Sequence, residues 1–136
     1  MKRVLVDTGV IVGFFVAADG AHKACREWFN EYDGELVLPV TVLAETCGML
    51  ERWPDIEASF LRSVESGFFT LESIQKGDVL RMRELVTQYA DFPLGGIDAS
   101  VVAVAERLGI TDVATLDHRH FRALRPRHMA AFTLVP

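Results

Sequence analysis

Val4-Leu5-Val6-Asp7-Thr8-Gly9 is the stretch on which the reading of this chain turns. Three apolar residues, two of them β-branched, run straight into an acid. Such a short run, bounded by an acid and a glycine, reads as a buried strand. The almost wholly apolar Val10 to Val16 that follows reads as a short buried helix, broken at Asp19-Gly20.

The same alternation continues outward. Glu35 to Leu38, Phe68 to Leu71, Val113 to Leu116 and Ala131 to Val135 read as further strands. Between them, helical apolar spacing covers Ala21 to Tyr32, with Ala24, Cys25, Trp28 and Phe29 on one face. A helix follows Pro39, capped by Thr41, with Val42, Leu43, Thr46, Met49 and Leu50 as its inner stripe. Asp55 to Val64 and Asp78 to Tyr89 are also helical, the latter through Val79, Leu80, Met82, Leu85, Val86 and Tyr89. Asp91 to Ile97 is a loop, Asp98 opens a helix stopped by Gly109, and His118 to Leu124 is a short helix. Short apolar strands separated by helices imply parallel pairing through right-handed crossovers. The expected fold class is therefore α/β, a three-layer α/β/α sandwich around a parallel sheet.

With 136 residues, half of them hydrophobic, the chain fits one domain over 1–136 with a sizeable core. A net charge of −5 argues against simple electrostatic binding of nucleic acid, unless a bound cation offsets clustered acids. Cys25 and Cys47 lack metal-ligand spacing and read as reduced core residues. No apolar run approaches the roughly 20 residues of a membrane span, and Asp7 comes too early for a signal peptide. A cytoplasmic location is the default expectation.

Four acids fall at places a parallel sheet would bring together. Asp7 follows the first strand and Asp117 the fourth, so both belong at one edge. Glu45 lies early in the helix after the second strand, and Asp98 starts the helix leading to the fourth. Ligands bind just beyond such carboxyl ends. Each acid alone has an ordinary structural explanation: Asp98 and Asp117 as N-caps, Asp7 in an Asx-turn, Glu45 as a solvated helix acid. Together they suggest a site for Mg²⁺ or Mn²⁺, hard cations that prefer carboxylate and water oxygens. Such an ion acidifies a bound water, and a second stabilises the leaving oxygen of a phosphodiester.

Three segments then look familiar in order: Val6-Asp7-Thr8-Gly9-Val10, Pro93-Leu94-Gly95-Gly96-Ile97-Asp98-Ala99, and Ala114-Thr115-Leu116-Asp117-His118-Arg119-His120-Phe121, with Glu45 six places after Pro39. They resemble the PIN-domain family, and within it the VapC-type toxins of bacterial toxin–antitoxin pairs. The resemblance implies an endoribonuclease using Mg²⁺ or Mn²⁺ and leaving 5′-phosphate and 3′-hydroxyl ends. It maps the acidic quartet onto Asp7, Glu45, Asp98 and Asp117, with Asp7 and Asp98 as the most direct ligands. Thr115 matches a hydroxyl residue two places before the last acid, and Thr8 is a second supporting residue. Arg119 stands where some relatives carry a further Asp, which leaves a fifth ligand out. The resemblance also implies a homodimer, inhibited by a small antitoxin whose C-terminal segment covers the site.

The stretch from His118 to His128 carries Arg119, Arg122, Arg125 and Arg127. It can guide an RNA backbone, bind the antitoxin, or simply be a solvated basic face. Three rivals were weighed. A haloacid-dehalogenase-type phosphatase needs an acid two places after Asp7, where Gly9 stands. A response-regulator receiver needs acids before its phosphorylated Asp and a lysine after a late strand, and neither is present. A PIN-like domain serving only as a binding module is set against the intact quartet.

Overall fold

The computed structural model describes residues 2–136. Strand β1 (Arg3–Val6) leads into α1 (Thr8–Phe15) and α2 (His22–Glu31). Strand β2 (Glu35–Pro39) leads into α3 (Val40–Leu50) and α4 (Pro54–Glu65). Strand β3 (Phe69–Glu72) is followed by α5 (Lys76–Gln88) and α6 (Gly96–Leu108). Strand β4 (Asp112–Ala114), α7 (His118–Arg122) and β5 (Thr133–Val135) complete the chain.

The strands form one sheet in the order β3-β2-β1-β4-β5, every pair parallel. Successive strand residues point to opposite faces. Val4, Leu5 and Val6 are all fully buried, as are Val113 and Ala114. Both faces of the sheet are therefore covered, which is the three-layer arrangement the alternation predicts. Helix α6 runs deep, with every residue from Ala99 to Ala105 buried. It ends at Gly109, whose φ of 69° is left-handed and suits a residue without Cβ.

The far end of α6 is pinned by charge. Arg81 grips Glu106 with two hydrogen bonds, at 2.8 and 3.0 Å. Arg107 bonds the buried Asp78 at 3.0 Å and Glu72 at 3.1 Å. Asp78 also accepts the Gln75 backbone N–H at 2.9 Å, so the same carboxylate fastens the start of α5.

The structure corrects several sequence expectations. Thr41 does not cap α3: Pro39 holds the cap position, and the Thr41 hydroxyl instead meets that of Ser100 at 2.6 Å. Met49 lies outside the inner stripe and is 53% exposed, as Val79 and Leu80 of α5 are 52% exposed. Ala24 is exposed too, while Cys25 and Phe29 are buried. The expected stripes counted apolar residues on an arc wider than the one each helix actually buries. Asp98 does not open α6, which starts two residues earlier at Gly96. β4 ends at Ala114, so Thr115 and Leu116 separate it from Asp117. That acid caps α7, accepting the His120 N–H. Trp28 and Phe29 pack among aromatic neighbours, their rings 4.9 Å apart, as core residues do.

Two glycines give opposite expectations for one substitution. A Cβ on Gly13 would come within 2.7 Å of Cys25 Sγ, where α1 crosses α2; one on helical Gly48 meets nothing. Gly13→Ala should therefore destabilise the protein by about 1–3 kcal/mol through overpacking. Gly48→Ala should stabilise it by about 0.5–1 kcal/mol through helix propensity. Urea denaturation midpoints that move in the same direction for both would contradict this packing.

Candidate active site

Strand order reverses about β1: β2 and β3 lie to one side, β4 and β5 to the other. The connections leaving β1 and β4 therefore diverge, which opens a crevice between their carboxyl ends. Asp7 stands there. Its N–H continues the ladder by donating to the Ala114 carbonyl at 2.9 Å. It occupies the cap position of α1 in extended conformation, yet makes no side-chain cap bond. The carboxylate is left facing the crevice.

Two buried threonines tie the acids down. The Thr115 hydroxyl accepts the Asp117 N–H at 3.0 Å and donates to Asp7 Oδ2 at 3.0 Å. With its lone pair and its proton both committed, its direction is fixed. The Thr8 hydroxyl donates to Glu45 Oε1, joining α1 to α3. Glu45 is thus not the freely solvated helix acid that its sequence position also allowed.

Asp98 sits in the first turn of α6, with its side chain 29% exposed, and Asp117 is more open at 59%. His120, which sequence reasoning placed only among the basic residues after Asp117, lies between them. Its Nε2 is 3.1 Å from Asp98 Oδ2, and its Nδ1 is 3.8 Å from Asp117 Oδ2. Nε2 is buried and the Asp98 oxygen lies off its N–H line, so the contact is close without being a well-formed hydrogen bond. The signal was the spacing: in a short helix a side chain three places after the capping acid returns toward it.

Burial pushes the Asp7 carboxyl up to about 6, and the charges of Asp98 and Glu45 add to the rise against the hydrogen bonds from Thr8 and Thr115. Asp98 is also raised, first by burial, then by Glu45 and Asp117, with His120 opposing. The four acids thus feel one another. Among the described residues no lysine or arginine forms an ion pair with any of them. A cluster of this kind calls for a proton or a cation.

The donor set is wholly oxygen and suits Mg²⁺ or Mn²⁺. Among the described residues no three acidic, imidazole or thiol groups converge into a ready-made cage. Mg²⁺ usually keeps several waters and takes only one or two carboxylates directly, so a wider ring fits it. A crevice of about 440 Å³ between α5 and α6 is no competitor. Its Arg81, Glu106, Asp78 and Arg107 pair with one another and it holds none of the quartet.

The basic segment divides. Arg119 and Arg122 are exposed and form no ion pair among the described residues. Arg125 turns its guanidinium back onto the carbonyls of Arg122 and Leu124, at 2.8 and 3.0 Å. Arg127 pairs with Glu84 at 3.1 Å.

The raised Asp7 gives a stability prediction. An acid whose folded pKa, about 6, exceeds its ordinary 3.8 favours folding when protonated. That contribution is lost as pH rises from about 4 to about 6, and at most about 3 kcal/mol is at stake. Metal-free Asp7→Asn should therefore melt higher than metal-free wild type at pH 7, with the gap closing at pH 4. Mn²⁺ should raise the melting temperature of wild type more than that of the variant. A gap that does not vary with pH would refute the burial of this charge.

A family model described as the PIN domain matches residues 4–125. The chain is 31% identical over 135 residues to Ribonuclease VapC26 of Mycobacterium tuberculosis, covering 98% of this chain and 100% of that protein. Its fold is similar to the crystal structure of Mycobacterium tuberculosis VapC20, a Sarcin-Ricin loop cleaving toxin. The TM-score is 0.75 at 19% identity, over 81% of this chain and 86% of that one. It is also similar to VapBC2 of Rickettsia felis bound to a DNA fragment from its promoter. There the TM-score is 0.71 at 14% identity, over 99% and 100%. The domain-wide match, the parallel sheet and the acids gathered where its strand order reverses agree: this chain belongs to the PIN-domain family.

Proposed function

We propose that this chain is a metal-dependent endoribonuclease, the toxin of a VapBC-type toxin–antitoxin pair, working as one domain over 1–136. The observation that carries the reading is Asp7: a buried carboxyl, raised by neighbouring acids, with no basic partner, at the crevice between β1 and β4. The full-length likeness to a named ribonuclease supports the same activity.

Asp7 and Asp98 are the direct holders of Mg²⁺ or Mn²⁺, and Glu45 and Asp117 act through water or orient the attacking water. When bound, the cation supplies positive charge for the scissile phosphate and a more acidic water. The protein's own residues do the rest. Thr115 holds Asp7 and the chain at Asp117 in register, and Thr8 holds Glu45. Arg119 and Arg122 are exposed just beyond Asp117, where they can meet the RNA backbone. Arg125 belongs to that surface with less reach, since its guanidinium is spent on carbonyls.

A cognate antitoxin is the partner that similarity to toxin–antitoxin complexes supports. We also assign a homodimer, for which the exposed Val79, Leu80 and Val86 of α5 supply apolar surface. The cytoplasm is the compartment where the RNA substrate is met, and no described helix is long and apolar enough to cross a membrane. A PIN-like module without catalysis is the second reading, favoured by the want of a ready-made metal cage.

RNA cleavage should require Mg²⁺ or Mn²⁺ and stop with chelator. Asp7→Asn or Asp98→Asn should each abolish it, with a loss of at least about 10²-fold, while circular dichroism stays native. Full activity in either variant would remove this mechanism, and wild type inert with both metals would favour the binding module. In an Asp7→Asn background, Arg119→Ala with Arg122→Ala should flatten the salt dependence of RNA binding by a slope of about 1. An unchanged slope would show that this surface does not touch RNA.

A further inference from the structure

The second residue of interest at the site is His120, which stands outside the acidic quartet. Its main chain is fixed, because its N–H donates to Asp117 Oδ1 at 3.1 Å. The next residue, Phe121, is fully buried and anchors α7. The imidazole leans on Phe92 with ring centres 4.6 Å apart, and Phe92 belongs to the loop that precedes α6. His120 thus touches both segments that carry acids: the one holding Asp117 and the one leading to Asp98.

Its Nε2 is buried, so in this arrangement it does not reach solvent or an RNA strand. The acceptor beside it is Asp98 Oδ2 at 3.1 Å, and a modest turn of that carboxylate would bring the oxygen onto the N–H line. Nδ1 is 3.8 Å from Asp117, too far for a hydrogen bond. The tautomer with its proton on Nε2 therefore suits the site, and it can donate without the ring being charged.

We infer that His120 is a positioning residue: through Nε2 it holds one oxygen of Asp98 and keeps the other turned toward the cation site, with Phe92 setting the plane of the ring. Carboxylates that bind metals are themselves commonly held by hydrogen bonds, and losing such a partner typically weakens metal binding by about 10–100-fold. The inference rests on the carboxylate site proposed above.

The test is Mn²⁺ binding to the full chain by titration calorimetry, alongside thermal melts of the metal-free proteins. His120→Phe keeps a ring for Phe92 but has no donor. His120→Asn puts an amide near the place of Nδ1, and His120→Gln puts one near the place of Nε2. Mn²⁺ affinity should fall about tenfold in His120→Phe and His120→Asn and return close to wild type in His120→Gln. Should His120→Phe not fold, the contrast between Asn and Gln still decides. Equal affinity in all variants, or equal loss in Asn and Gln, would overturn the role of His120 alone. A wild type that binds no Mn²⁺ would instead remove the carboxylate site itself, and this inference with it.

Discussion

Like charge crowded at the carboxyl ends of β1 and β4 is the constraint on which the active end of this molecule depends. A parallel sheet with Asp7 at one strand end and Asp117 shortly beyond another brings negative groups together whether or not that favours stability. The fold answers locally with hydrogen bonds from Thr115 and Thr8 and with the imidazole of His120. These orient the acids without neutralising them all. What is left over, a carboxyl lifted to about 6, is a standing demand for a cation.

The rest of the chain holds that unfavourable arrangement in place. Both faces of the sheet are covered by fully buried aliphatic residues, so β1 and β4 cannot drift apart to relieve the repulsion. The basic side chains that might have relieved it are engaged elsewhere. Arg81 and Arg107 serve acids at the opposite end of α6, and Arg127 serves Glu84. Polar pairing is thus segregated: satisfied ion pairs hold the scaffold, and unsatisfied carboxylates mark the place of chemistry.

Much of this was legible in the sequence because strands announce their own ends. Val4 to Val6 stops at an acid, and a parallel sheet then fixes the neighbourhood of that acid. Helix starts were harder. Asp98 and Thr41 have the chemistry of caps, yet Gly95 and Pro39 occupy those positions, because backbone geometry and packing outweigh a single side-chain bond. Amphipathic stripes misled where apolar residues lie beyond the buried arc, as at Met49 and Val79. His120 could not be read out at all as a neighbour of Asp98. Its meeting with an acid 22 positions away depends on how the loop bearing Phe92 crosses α7, and no local pattern encodes that crossing.

Helix α6 carries obligations at both ends. Asp98 in its first turn must face the crevice, while Arg107 in its last must reach Asp78 and Glu72. One residue inserted or deleted between them would rotate one end against the other by about 100°. No adjustment of side chains could then restore both sets of partners. The helix acts as a gauge of fixed length, and change in this stretch is confined to exchanging one residue for another.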